Sequence, residues 1–244
     1  MEILIEVGDW GNASRENIRV LLEDVAGQFT RHLAHPSNYR LRIECHPDQP
    51  APMALRRASP NDVFVIWLTA RDTHWAQFSY QFAHEFCHIL ADFERLWSSP
   101  NQQWFQESLC ELASIFALKQ MAISWQIAPP YPNWFEFSPH LDAYADELLT
   151  RSDHRLPPGL SLNRWLQQHE PELRANSCNR ILNGVVAVQL YPLFRGQSNG
   201  WQAVASMPEC NRNFADFLSK WHSSCPNDHQ DFVSKVAEMF EIKV

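Results

Sequence analysis

The stretch Gln81–Leu90, QFAHEFCHIL, sets two imidazoles and a carboxylate in the order His84, Glu85, then His88 after two residues. On a helix, residues four apart share a face, so His84 and His88 can grip one metal ion. Glu85 stands about 100° further round the helix, three residues before His88. It can reach a water on the metal without being a ligand itself. Two nitrogen ligands and a separate base are what hydrolysis by a zinc-activated water needs. A helix that merely packs two histidines shows the same spacing, so a third ligand decides between the readings.

A zinc ion that does chemistry commonly takes three protein ligands and keeps one position open. The segment 101–114, NQQWFQESLCELAS, offers the third. Glu107 follows His88 after eighteen intervening residues, on a second helix joined to the first by a short turn. Glu111 lies one turn on, over the same face. Its carboxylate can accept the free ring N–H of a ligating histidine and fix the tautomer. Cys87 and Cys110 flank the presumed ligand face and read as packing residues. Asp92, four residues after His88, is an alternative carboxylate. His74 reads as a surface residue. His140 and Tyr144, in FEFSPHLDAY, can line a cleft or join an aromatic core.

His-Glu-x-x-His, eighteen residues, then Glu resembles the gluzincin metallopeptidases, above all their one-zinc aminopeptidase branch. The segment WFQESLCE is similar to that branch's Trp-Leu-Asn-Glu-Gly-Phe-Ala, and Glu111 is similar in position to the Asp behind the ligands in the thermolysin-like branch. The likeness is close over 84–111 and loose over the helical C-terminal part. It implies a zinc cofactor held by His84, His88 and Glu107, with Glu85 as catalytic base and a peptide or protein as substrate. It also implies an oxyanion donor, a Tyr or His from the later part of the chain. Tyr191, in NGVVAVQLYPLFRG, is the candidate, with His154, His169 and His222 as alternatives. The chain departs from the aminopeptidases in one respect. SPNDVFVIWLTA carries no Gly-x-Met-Glu-Asn segment, so specificity for a free amino terminus is not implied. Two other readings stay open: a binding or regulatory protein on the same scaffold, and a metal-dependent hydrolase of a non-peptide amide. Glu85 counts against the first, because a binding module needs no base.

The elements that must position these residues follow from periodicity. Met1–Val7 and Tyr39–Cys45 alternate as strands, and Asp62–Ala70, DVFVIWLTA, is the strongest strand pattern. Ser14 can cap a helix to about His32, with Ile18, Leu21, Leu22, Val25 and Phe29 on one face. Pro47–Pro60 reads as a loop. A long helix from Asp72 or Thr73 to about Leu96 carries the motif, with Phe78, Phe82, Phe86, Ile89 and Phe93 as its stripe. SSPNQ at 98–102 ends it, and a helix from about Gln102 to Met121 follows. A helix is expected at 139–150, and then at 161–170, 176–194, 199–206, 211–222 and 228–241. With the resemblance, this predicts an α+β chain: a zincin-like lobe at 1–126 with a small mixed sheet, a Pro- and aromatic-rich crossover at 127–160, and an all-helical lobe at 161–244. The strand before the motif helix is expected at a sheet edge, along the substrate cleft.

Composition narrows the partners. The 244 residues carry a formal net charge of −8 and no long run of Lys and Arg, which argues against a nucleic-acid partner. No apolar stretch is long enough to span a bilayer. The first residues, MEILIEVGDWG, do not read as an export signal, and the six cysteines include no Cys-x-x-Cys pair. A cytoplasmic protein with reduced thiols is the expectation. Ten Trp and fifteen Phe point to thick aromatic packing.

Overall fold

A computed structural model describes residues 1–34, 38–57, 62–96 and 100–244. The fold is α+β. Four strands, β1 (Glu2–Ile5), β2 (Arg40–Cys45), β3 (Met53–Leu55) and β4 (Phe64–Leu68), form one sheet in the order β1-β2-β4-β3. The first, second and fourth run parallel, and β3 pairs antiparallel with β4. The sheet is therefore small and mixed.

The helices are α1 (Arg15–Thr30), α2 (Trp75–Leu90), α3 (Phe93–Leu96), α4 (Gln103–Trp125), α5 (Ser138–Thr150), α6 (Leu162–Ala175), α7 (Arg180–Gly196), α8 (Gly200–Val204), α9 (Phe214–Ser224) and α10 (Asn227–Met239). Among the described residues, no helix is long and apolar enough to cross a membrane. The chain divides into two compact units, Met1–Ile89 with Ala113–Asp146, and Leu90–Leu112 with Glu147–Val244.

In the first unit the expected α1 stripe is the buried one. Ile18, Leu21, Leu22, Val25 and Phe29 are fully buried, and Ser14 Oγ accepts the Asn17 N–H to cap the helix. Helix α1 packs on β1. Alternation along the strands puts Ile3, Ile5, Leu41, Ile43, Ile66 and Leu68 on the buried face of the sheet. An aromatic file of Trp10, Phe78, Trp75, Trp134 and Trp125 has neighbouring ring centroids 5.1 to 6.0 Å apart.

Three expectations need correction. The loop expected over Pro47–Pro60 contains β3, although its last residues, 58–60, lie outside those described. The strand before the motif helix is no edge, since β4 lies between β2 and β3. The long motif helix stops at Leu90, where Asp92 takes a left-handed conformation (φ 55°) before the short α3. An Asp tolerates that conformation and ends the hydrogen-bond ladder there. The break expected at 98–102 begins outside the described residues.

In the second unit, helices dominate as expected from 161 onward. Phe105 meets Phe214, Phe217, Trp221 and Phe240 with centroids 5.0 to 6.1 Å apart. Helix α7 lies against the turn holding His154, whose Nδ1–H donates to Leu148 O over 3.0 Å. Gly184 makes that approach possible, because a Cβ there would meet His154 Nε2 at 2.4 Å. Gly184→Ala is therefore expected to destabilise the protein by about 1–3 kcal/mol, an overpacking cost. The added His154→Ala change should recover part of the loss, both read from urea unfolding. Equal stability of Gly184→Ala and wild type would contradict the contact.

Candidate functional site

Helix α2 is buried on almost every side. Phe78, Phe82, Phe86, Cys87, Ile89 and Leu90 are buried apolar positions, and His84 and Glu85 are buried with them, at 8% and 4% exposure. His88 is half-buried. The expected four-residue spacing holds in space. The His84 and His88 rings lie 5.1 Å apart between centroids, at 68°. Two imidazoles on one tetrahedral zinc, with nitrogens at about 2.0–2.1 Å, place their ring centroids roughly 5 Å apart. The pair therefore fits a shared metal.

Glu85 is held by the sheet. The backbone N–H of Ala54, the middle residue of β3, donates to Glu85 Oε2 over 2.7 Å. Met53 and Leu55 face β4 with their peptide groups, as partners of Trp67 and Val65. Ala54 must then turn its N–H and C=O off the free edge of the sheet. The carboxylate of Glu85 lies on that edge.

Two further residues fix the helix. Gln81 Oε1 accepts the N–H groups of Thr69 (3.0 Å) and Ala70 (3.1 Å), and Gln81 Nε2 donates to Thr69 Oγ1 (2.6 Å). The side chain three residues before His84 thus ties α2 to the end of β4. Ser114 Oγ donates to the Tyr80 carbonyl over 2.9 Å, one turn before His84. Neither Gln81 nor Ser114 stood out in the sequence. The only signal was a polar side chain on an otherwise apolar stripe.

The remaining candidates sit on α4 and beyond, in the second unit. Glu107 is half-buried and accepts from the Cys178 thiol, Sγ to Oε1 3.6 Å. The loop carrying Cys178 is held by Asn183, whose Nδ2 donates to Ser177 O over 2.7 Å. Ser108 Oγ lies 3.2 Å from Asn183 Oδ1, which links that loop to α4 beside Glu107. Glu111 is buried, at 6% exposure, and Tyr191 is buried on α7 at 7%. Cys110, like Cys87, is fully buried.

The alternatives separate by environment. Asp92 is exposed on the turn that ends α2. His74 is exposed, as expected, and so is His140, which stacks on Phe137. Tyr144 is half-buried and packs against Tyr80 with centroids 5.6 Å apart. His154 is committed to its structural bond with Leu148 O, and His169 stacks on Trp165. His222 is half-buried near the end of α9.

No protein family, curated protein or solved structure matches the chain.

The Ala54–Glu85 bond makes a prediction that does not depend on activity. Glu85→Gln keeps an acceptor for the Ala54 N–H, whereas Glu85→Leu leaves that donor without one. The Leu variant should be less stable than the Gln variant by about 1 kcal/mol, the low end of the cost of leaving a donor unpaired, since Ala54 is half-buried. Denaturant unfolding of the two proteins reads the difference, and equal midpoints would refute it.

Proposed function

We propose that the protein is a zinc-dependent metallopeptidase of the gluzincin type, cutting peptide bonds in a peptide or protein substrate. The observation that carries the reading is the facing His84 and His88 pair with Glu85 held at the open edge of the sheet. The donor set suits zinc, with imidazole nitrogens from α2 and a carboxylate, Glu107, supplied by the spacing of the motif. Cys110 lies three residues beyond Glu107 on α4 and is the thiol that a zinc ion would take in its place. Glu111 is the carboxylate that orients a ligating histidine.

When bound, zinc lowers the pKa of a water and polarises the substrate carbonyl. The protein's own residues do the rest. Glu85 keeps one oxygen on the Ala54 N–H and has the other to take a proton from the attacking water. It then returns that proton to the leaving amine. Tyr191 is the donor assigned to the oxyanion. A substrate strand would lie along β3, whose outer edge can accept strand addition. This gives the zincin-like reading its substrate groove: an antiparallel edge strand beside the helix that carries the base. The six cysteines, none of them in a disulfide, suit a reducing compartment, the cytoplasm.

The test combines metal analysis with cleavage of a broad peptide library by protein made in zinc-containing medium. Wild type should carry one zinc per chain and cleave peptides. Glu85→Gln should retain zinc and lose at least about 100-fold in rate. His84→Ala should lose zinc and Glu107→Ala should bind it more weakly, whereas Cys110→Ser should keep the wild-type affinity. Tyr191→Phe should lower kcat with KM little changed. Zinc bound with no turnover of any peptide would favour a binding module or a non-peptide amidase. Failure to bind zinc at all would end the proposal.

A further inference from the structure

In the second unit two buried amides line one small cavity. Gln102 ends the single turn of 3-10 helix at Pro100–Gln102, and Gln106 lies four residues on, in the first turn of α4. The two residues are 4% and 7% exposed. A four-residue step along a helix brings both side chains to one side. The rest of the wall is Gln103, Leu96 of α3, Met207 and Pro208 beyond α8, and Phe217 of α9.

One end of the Gln102 amide is committed. Nε2 donates to Arg212 O over 2.8 Å, and beside it Asn101 Nδ2 donates to Asn211 O over 2.8 Å. These bonds hold the segment before α9 to the start of α4. The Arg212 carbonyl can only accept, which fixes the Gln102 amide with its nitrogen on that carbonyl and its oxygen free for another group. Gln102 Oε1 is buried and meets no donor among the described residues. Gln106 Nε2 is buried too and meets no acceptor there. Leaving a buried acceptor and a buried donor both unpaired is costly, and the apolar side chains of Leu96, Met207 and Phe217 can serve neither.

The size of the cavity decides what can serve both. It has about 10 Å³ of room for the centre of a water molecule, enough for one. Two hydrogen bonds of ordinary length that meet at one oxygen span roughly 4.5–5 Å, which suits side chains one helical turn apart. The wall offers amides and apolar groups but no carboxylate, thiolate or imidazole, so it does not suit a metal ion. We infer that the cavity is a binding site for a single water molecule, which donates one hydrogen to Gln102 Oε1 and accepts one from Gln106 Nε2. The half-buried Gln103 amide is the third polar group within its wall. The water acts as a structural part. It joins the 3-10 turn to the first turn of α4, and it completes the anchoring that the Asn211 and Arg212 carbonyls begin. The inference does not depend on the peptidase reading.

A high-resolution crystal structure of the full chain tests it, together with water–amide cross-relaxation by NMR. Density for one oxygen should lie within hydrogen-bond distance, about 3.2 Å or less, of both Gln102 Oε1 and Gln106 Nε2. In solution the Gln106 side-chain amide should show a cross-peak to water with the sign of a bound molecule rather than a freely diffusing one. Gln106→Met keeps the length of the side chain and removes its donor, so its structure should lose that density. The wild-type density and cross-peak decide the question on their own should the variant fail to fold. A direct bond between the two amides, density there for a group larger than water, a cross-peak with the sign of freely diffusing water, or density unchanged in Gln106→Met would overturn the assignment.

Discussion

Burying a helix that carries polar chemistry is the constraint from which the rest of the first unit follows. Helix α2 brings Gln81, His84 and Glu85 into a setting that excludes water, amid phenylalanines on both sides. A buried carboxylate or amide without a partner costs several times what a satisfied one contributes. Each of the two acceptors therefore has a backbone donor from the sheet: Thr69 and Ala70 for Gln81, Ala54 for Glu85. These bonds work in both directions. They satisfy the helix, and they fix its rotation so that His84 and His88 share one side. The bonds to β3 and β4 add a directional constraint on its rotation to that of the apolar packing.

Much of this was legible in the residues, and the gaps have physical causes. Alternation in RLRIEC and DVFVIWL gave β2 and β4, and the spacing of Ile18, Leu21, Leu22, Val25 and Phe29 gave α1, because burial imposes those periods. The histidine pair was legible because a helix converts four-residue spacing into proximity. The edge strand β3 was not. Met-Ala-Leu is too short to alternate, and Pro50 and Pro52 before it argue for a loop. The end of α2 was missed because the apolar period runs on through Phe93, while the left-handed Asp92 leaves no trace in hydropathy. Partners such as Ala54 for Glu85, 31 residues apart, depend on sheet order, and no local pattern encodes that.

Sheet order also sets what the candidate base can do. Had β4 been the edge, its own peptide groups would have faced the motif helix along the whole strand. Instead β3 covers it, and three residues leave only Ala54 facing outward. A short edge with one outward peptide group resists pairing with stray strands. It also makes the Ala54 N–H a contested donor, since Glu85 already holds it. A peptide strand added at this edge, as the proposed function requires, would have to displace the carboxylate to reach that N–H. In the proposed reaction Glu85 would transfer the proton beside the sheet edge, and strand addition would need that edge clear. In the proposed peptidase the same two atoms would therefore govern substrate docking and the freedom of the base.

The two faces of the sheet divide the electrostatics in a way that composition conceals. A net charge of −8 suggests a molecule that repels anions everywhere. Yet screening limits the reach of distant carboxylates to about 8 Å at physiological salt, so the field in a cavity is set by its own walls. On the exposed face of the sheet Arg40 pairs with Glu2 and Arg42 with Glu44, so cations and carboxylates alternate there. The Glu44 carboxylate is shared among Arg42, the Trp67 Nε1–H and His46. The buried face of the same sheet faces apolar packing and helps to place a base. Strand alternation, a period of two residues, is what lets one thin sheet carry both.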